Sequence, residues 1–536
     1  MDEEIETRKA RFRTFPEYAR FLLEGERGGI PLNPKAPVSM AIVYPNGYEV
    51  GMASLGFQTV HRLFNSHPEI RCERAFIPPP PLEMEVRSLE SGEPLRRFSF
   101  IGFSLAYELD IVSFVRLLSD AGIPPLASER NEAHPLICIG GVLGGLNPSP
   151  LLPFTDAILA GEGEGVIPLI ADVLFQYRSG PHCRRERLEA LGEIPGIFLP
   201  PRRGGSVERQ AVPSLADHPT YTPIVTPYSH FENMFVVELS RGCAHGCHFC
   251  AGGKVYHPLR FHSHDSVLET VRRFNPGASR VGLEGASLSD YPGLETLCTQ
   301  LIEAGHEVSF SSLRADRITP QLLEILEKGN IRSFTMAPEA GSERLRNRIR
   351  KPISDAVLMQ GVRMLSGSTI EILKLYFLIG LPGEEDADAD AIPECVGEIA
   401  RAFCTSAKRR IRVSVNAFVP KPFTEFQWAA MDGQASLVRK RERIAKGVRN
   451  MPKVTLVQKS VREELLQGML SVGDERAGMA VHDRVIHGLP WKQAFRQNGV
   501  NPEILLHEPR PFDRPLPWDF IRTGTPKRAL WERIVK

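Results

Sequence analysis

No stretch of this 536-residue chain stays apolar long enough to cross a bilayer. Net charge is missing too. The 65 lysines and arginines stand against 64 aspartates and glutamates, so nothing global draws the molecule to nucleic acid or to a charged membrane. A paired cysteine framework is absent as well. The nine cysteines fall into one tight trio and six scattered singles, Cys72, Cys138, Cys183, Cys298, Cys395 and Cys404. That pattern excludes a disulfide scaffold and points to a reducing, cytoplasmic compartment. The opening MDEEIETRKARFRTF has no apolar centre and does not read as a secretory signal. What remains, 42% hydrophobic and 24% charged residues, is ordinary globular composition, and the length predicts two or three domains.

The trio is the most informative feature present. Cys243, Cys247 and Cys250 stand at C-x3-C-x2-C spacing within Glu238-Leu-Ser-Arg-Gly-Cys-Ala-His-Gly-Cys-His-Phe-Cys250. Gly242 and Gly246 allow the backbone to fold back tightly. The preceding Met234 to Leu239 reads as a buried strand, so the cysteines sit on a loop at a strand's carboxyl end, where α/β proteins place chemistry. Three gathered thiolates suit a zinc ion completed by His245, His248 or His257, or an iron–sulfur cube with one iron left open. Spacing alone leaves both readings standing.

Along the chain, residues 1–37 form a polar lead-in with one short helix, followed by Pro31, Pro34 and Pro37. Residues 38–180 alternate strand and helix patterns. Strands are expected at Met40–Tyr44, Phe100–Leu105, Leu136–Ile139 and Asp156–Leu159, which predicts a doubly wound parallel sheet. Glycines follow two of these strands, Gly140-Gly141 and Gly161-Glu162-Gly163-Glu164-Gly165, where a ligand can approach the sheet edge. Residues 181–230 are proline- and glycine-rich connector. Residues 231–425 repeat strand and helix six times, with strands at Met234–Leu239, Ser279–Leu283, Glu307–Ser311, Ser333–Ala337, Ile372–Ile379 and Ile411–Phe418. Six such units predict a partial barrel whose strand ends converge on one pocket. Residues 426–536 read as mainly helical. They carry the basic run Arg439, Lys440, Arg441, Arg443, Lys446 and Arg449, which lacks interleaved aromatics and reads as a solvated helix before an RNA contact. Trp518 in the irregular tail is expected to anchor against a neighbouring domain.

The cysteine stretch, with Phe249 just before the last cysteine, resembles the signature of radical S-adenosylmethionine (SAM) enzymes. The resemblance implies a [4Fe-4S] cluster on Cys243, Cys247 and Cys250, with SAM on the open iron. Residue by residue it further implies that Glu284, Gly285 and Ser287 after the second barrel strand help hold the SAM amino group. Ser312 lies on the same rim after the third strand, and Glu339, Gly341 and Ser342 match the fourth-strand E-x-G-S piece. Gly380 and Gly383 match the adenine-contacting G-x-P-G stretch, and Phe249 would line the adenine side. One of Arg346, Arg348, Arg350 or Lys351 would meet the SAM carboxylate. Tyr256, His257 and Arg260 are within sequence reach of the same site.

The amino-terminal half resembles the cobalamin-binding domain of one large radical SAM class, with Gly140, Gly141, Gly161 and Glu162 in the cradle. The D-x-H-x-x-G loop of that class is absent, and its place reads Tyr44-Pro-Asn-Gly-Tyr-Glu-Val-Gly-Met52. The expectation is therefore a radical SAM enzyme, cobalamin-assisted, that moves a methyl group to an unactivated carbon. Two alternatives accompany it: a non-methylating or RNA-modifying radical enzyme without cobalamin, and a non-catalytic iron–sulfur or zinc module. An electron donor such as a flavodoxin or ferredoxin is the expected partner, with no membrane involved.

Overall fold

The structure is a computed structural model that describes residues 12–80, 86–178, 183–200, 205–310 and 313–535. The expected site residue Ser312 lies outside the described residues.

A six-stranded sheet builds the amino-terminal half. Its strands are β1 (Val38–Tyr44), β2 (Ile70–Phe76), β3 (Phe100–Ser104), β4 (Leu136–Gly140), β5 (Ala157–Leu159) and β6 (Ile197–Phe198). They lie in the order β2-β1-β3-β4-β5-β6, parallel except for the antiparallel β6. The strand order reverses between β1 and β3, which makes that carboxyl edge the natural ligand crevice of the sheet. One face is covered by α1 (Phe15–Glu24), α2 (Leu55–Asn65), α4 (Ile167–Gln176) and α5 (Arg184–Gly192). The other is covered by α3 (Asp110–Asp120).

Strand β2 escaped the sequence reading because Ile-Arg-Cys-Glu-Arg-Ala-Phe carries three charges in seven residues. The structure buries two of them fully paired. Arg74 meets Glu26 at 2.8 Å and Glu90 at 2.6 Å, while Glu73 accepts from Arg71 and from Ser91. An unpaired charge would not tolerate such a position.

The second half contains the six expected parallel strands: β7 (Met234–Arg241), β9 (Arg280–Gly285), β10 (Glu307–Phe310), β11 (Ser333–Glu339), β12 (Ile372–Ile379) and β13 (Arg410–Ala417). A short antiparallel β8 (Arg260–Phe261) flanks β7. The strands form two four-stranded sheets, β8-β7-β9-β10 and β11-β12-β13-β14, the last strand β14 being Val454–Gln458. Helices α6 (His264–Phe274), α7 (Leu294–Glu303), α8 (Pro320–Lys328), α9 (Glu343–Arg348), α10 (Asp355–Ser366), α11 (Asp386–Phe403) and α12 (Gln434–Val448) return the chain between strands. Hydroxyl side chains start several of them: Ser263 accepts from Ser266 N–H, Thr319 from Leu322 and Ser354 from Val357.

The region after residue 426 is mainly helical, as expected, and its strand β14 and helix α12 join the barrel. Leu470 of α13 (Val461–Val472) and Val481 of α14 (Glu475–Ile486) join the core beneath α3 on the other half. The basic run is also reassigned. Lys440 is buried against Glu384 at 2.5 Å and Asp432 at 2.8 Å, Arg441 is buried against Glu464 at 2.5 Å, and Arg443 pairs with Asp386 and Asp390. The helix period turns Lys440 and Arg441 inward, where carboxylates neutralise them, while Arg443 pairs with α11 at the surface. Among the described residues no helix is long and apolar enough to cross a membrane.

Trp518 fulfils its expected role. It is 1% exposed within the barrel core and donates from Nε1 to Gln427 Oε1 at 2.9 Å. Trp518→Ala should therefore lower the unfolding free energy by about 3–5 kcal/mol, read by urea denaturation followed by circular dichroism. A loss below about 1 kcal/mol would show that the tail only rests on the barrel.

Candidate active site at the junction of the two sheets

The cysteine loop leaves β7 through Gly242, which sits at φ +90°. A Cβ there would fall 2.5 Å from the Tyr256 carbonyl oxygen, so only glycine fits. Backbone hydrogen bonds clamp the middle of the loop. His248 N–H donates to Ile349 O at 3.1 Å, and Phe426 N–H donates to His248 O at 3.0 Å. A side-chain brace lies behind Phe426: Glu425, fully buried, accepts from Lys254 just past the loop at 2.8 Å and from Arg533 of α15 (Lys527–Val535) at 3.0 Å.

The thiols converge. Burial pushes Cys247 up to about 11, with Cys250, Glu339 and Cys243 adding to the rise and Lys351 opposing it. A bound cation that stabilises thiolate would reverse this. Zinc holds sulfur at about 2.3 Å, which requires ligand atoms about 3.8 Å apart. Among the described residues, only His482, Asp483 and His487 form a His, Cys, Asp or Glu trio with ligand atoms within 4.8 Å of one another, so the cysteines stand wider apart than one ion requires. One of the loop's histidines is engaged, His245 Nε2 lying 2.7 Å from Asp290 Oδ2. Three converging, wider-set thiols fit an iron–sulfur cube better than a zinc ion.

Around this loop the structure sorts the expected SAM residues into two groups. In the first group the side chain or backbone answers an internal need. Ser287 donates to Asp290 at 2.6 Å. Ser342 caps α9, accepting from Leu345 N–H at 3.1 Å, and donates to Asp388. A Cβ on Gly341 would collide with the α11 backbone at Ile392 N, 2.4 Å away. Gly380 and Gly383 take φ of +76° and +81° in the turn after β12. Arg346 is sealed at 0% exposure by the carbonyls of Ala340, Gly341 and Ile353. Arg348 donates to Pro382 O at 3.1 Å.

The second group faces the loop. Glu339 adopts φ +69°, a strained conformation of the sort that persists at functional positions, and pairs with Lys351 at 2.8 Å. The Arg350 guanidinium carbon lies 3.3 Å from where a Cβ on Gly246 would stand. Gly285 packs against Ser240, and Phe249 lies in a small apolar cluster with Leu381 and Phe418. Glu284 is raised by burial and by neighbouring Glu238, and no described hydrogen bond reaches its carboxylate. Unlike Ser287 or Ser342, it remains open to a ligand.

A cavity of about 400 Å³ runs from this rim into the other half of the molecule. Its far arm lies between α2, α4 and the sheet, lined by Leu63, Phe64, Phe100, Cys138, Leu159 and Ile167. Ser240, Arg241, Tyr256 and Glu284 close the near end, the Tyr256 phenol being pushed up to about 12 by burial. Gly102 lies mid-strand in β3, and the nearest atom to a Cβ built there is 3.9 Å away. At Gly140 it is 3.8 Å away. Both face the cavity, so neither glycine is required by the chain's own packing. Gly102 was missed from sequence, although a lone glycine inside an apolar strand is itself a signal. By contrast Gly141, at φ +82°, would strike Leu105 O, and Gly161, at φ +108°, would strike Gln210 O. Those two answer chain geometry.

Glu162, which also lines the cavity, anchors an ionic seam between the halves. Its carboxylate meets Arg260 at 2.5 Å and Arg241 at 3.2 Å and accepts from Val212 N–H at 2.8 Å. Arg241 also binds Glu164 at 2.7 Å and Glu238 at 2.8 Å. Burial pushes Glu238 upward, but His262 and Arg241 beside it prevail and hold it at about 2. Arg260 thus supports the seam, while His257 is outside the lining of the cavity.

Comparison with known proteins agrees with this layout. Residues 56–200 match the family described as radical SAM proteins, N-terminal, and residues 237–395 match the radical SAM superfamily. An uncharacterized protein of Methanocaldococcus jannaschii is 28% identical over 442 residues, covering 82% of this chain and 89% of its own length. A tRNA-2-methylthio-N(6)-dimethylallyladenosine synthase of Anaeromyxobacter sp. is 24% identical over 275 residues, 47% of this chain and 56% of that protein. Among solved structures, the radical S-adenosylmethionine methyltransferase TsrM of Kitasatospora setae, with cobalamin and a [4Fe-4S] cluster bound, superposes with a TM-score of 0.50 at 11% identity. The match covers 70% of this chain and 72% of that one.

The seam makes a direct prediction. Glu162→Gln strands Arg260 and part of Arg241 and should destabilise the protein by about 3–5 kcal/mol in chemical denaturation. Replacing Glu162 and Arg260 together by methionine should recover most of that loss. A loss in the double variant equal to the sum of the Glu162→Met and Arg260→Met losses would mean that the two charges are not coupled.

Proposed function

Because this chain is a radical SAM enzyme, we propose that it opens SAM at a [4Fe-4S] cluster held by Cys243, Cys247 and Cys250 and works with cobalamin in the glycine-relieved cavity, transferring a methyl group to an unactivated carbon. The observation that carries the cobalamin part is the cavity itself. It joins the switch-point edge of the β1–β6 sheet to the start of the cysteine loop at Gly242, and two of its lining glycines, Gly102 and Gly140, would meet no neighbour closer than 3.8 Å if they carried a Cβ. The TsrM structure, of similar fold, holds cobalamin and a cluster together.

When bound, the cluster supplies the electron that splits SAM into methionine and a 5'-deoxyadenosyl radical. The chain's residues do the rest. Glu284 offers an unpartnered carboxylate to the SAM amino group, Lys351 and Arg350 offer cations to its carboxylate, and Phe249 offers an apolar surface to its adenine. The apolar arm between α2 and α4 suits a flat, uncharged ring system and excludes water. Among the described residues no histidine lines the cavity, so none of them would offer cobalamin an imidazole.

A second reading, radical modification of RNA without cobalamin, is favoured by the partial match to the tRNA-modifying synthase. Against it, three cations of the α12 basic run are bound by carboxylates of the barrel and its flanking helices.

The test is anaerobic. The reconstituted protein should hold about four irons and, once reduced, form 5'-deoxyadenosine from SAM, while Cys247→Ala should do neither. It should also retain hydroxocobalamin through gel filtration. Gly102→Leu should weaken that retention about ten-fold or more yet leave iron content and SAM cleavage intact. Retention equal to wild type in Gly102→Leu would remove cobalamin from the cavity, and iron-free protein would end the radical reading.

A further inference from the structure

We propose that His482, Asp483 and His487 form a zinc-type metal site at the carboxyl end of α14, far along the chain from the cysteine loop. The ligand atoms of these three side chains already lie within 4.8 Å of one another, and no other such trio occurs among the described residues. His482 is 8% exposed, and its Nδ1 is buried without a hydrogen-bond partner. A buried ring nitrogen left unpaired is costly, and coordination removes that cost. The nitrogen sits 3.6 Å from Asp483 Oδ1, and the two imidazole rings stand 5.3 Å apart at 77°.

The surroundings hold the ligands in place. The His482 ring stacks on Phe154 of the amino-terminal half at 6.3 Å and 16°. Asn498 donates from Nδ2 to Asp483 Oδ2 at 2.7 Å, leaving Oδ1 for a metal. His487 is exposed and forms the C-cap of α14, so its ring can swing in. Tetrahedral zinc places nitrogen ligands about 3.3 Å apart, a modest contraction from the present spacing. A cation is also favoured at this end of the helix by the exposed carbonyls of its last turn.

Ligand chemistry narrows the metal. Calcium and magnesium prefer sets of oxygen ligands, and copper(I) prefers sulfur, whereas two imidazoles with one carboxylate suit zinc or a neighbouring divalent ion. Three protein ligands leave a fourth position to water. All three ligands come from α14 and its C-cap, so a metal here would fix the carboxyl end of that helix, whose His482 ring stacks on Phe154 of the amino-terminal half.

The test uses tag-free, cluster-loaded protein, so that the three cysteines are occupied. Zinc chloride is titrated calorimetrically under anaerobic conditions. One zinc should bind per chain and raise the melting temperature. His487→Ala and Asp483→Asn should each abolish that event without changing the metal-free melting temperature, and Asn498→Ala should weaken it about 10–100-fold. Absence of zinc binding in the wild-type protein, or unchanged stoichiometry in His487→Ala, overturns the proposal.

Discussion

The structure depends on one guanidinium. Arg241 ends strand β7 and reaches across to Glu162 and Glu164 while holding Glu238 of its own strand. Two residues later comes Cys243. The contact that fixes the amino-terminal sheet against the barrel therefore also fixes the start of the cysteine loop. Buried ion pairs of this kind contribute little net stability, since dehydrating each charge cancels most of the attraction. Their effect is on register. With Arg260 as second donor to Glu162, the seam admits one arrangement of the two sheets, and every slip strands a charge.

That arrangement explains why parts of the protein could be read from its sequence and others could not. Strands such as Ile372–Ile379 follow local apolar period and appear in the structure with the bounds that period suggests. The cysteine spacing is equally local. Strand β2 was hidden because Glu73 and Arg74 look like surface until Glu26 and Glu90, distant in sequence, are seen to neutralise Arg74. Strand β14 was hidden because a charged helix precedes it and because its edge position exposes Val457 at 50%. Glu162 follows the same rule from the other side. A glutamate among glycines after a strand reads as a ligand cradle, and only the fold reveals Arg260, 98 residues away, as its partner. Motif matching located the rim of the pocket, but long-range ion pairing decided which rim residues remained free.

The carboxyl-terminal region shows how one segment can serve both halves. Its strand β14 completes the barrel sheet, Trp518 fills the barrel core, and Leu470 and Val481 enter the core of the other half. Arg533 of the last helix meets Glu425, which in turn meets Lys254 beside the cysteine loop. The loop is therefore braced from three directions: by β7, by Ile349 after α9, and by this last segment through Phe426.

A cavity with walls from both sheets ties ligand affinity to the seam. Whatever occupies it touches Gly102, Gly140 and Leu159 on one side and Tyr256 and Glu284 on the other, so it binds only the arrangement that Arg241 and Arg260 enforce. A ligand selective for one arrangement stabilises that arrangement in proportion to its binding, and the reverse holds by thermodynamic necessity. Weakening the seam should therefore loosen ligands that never touch Glu162. Filling the cavity should in turn resist separation of the halves. The ion pairs and the cavity are thus two expressions of one equilibrium, and the cysteine loop sits at the point where they meet.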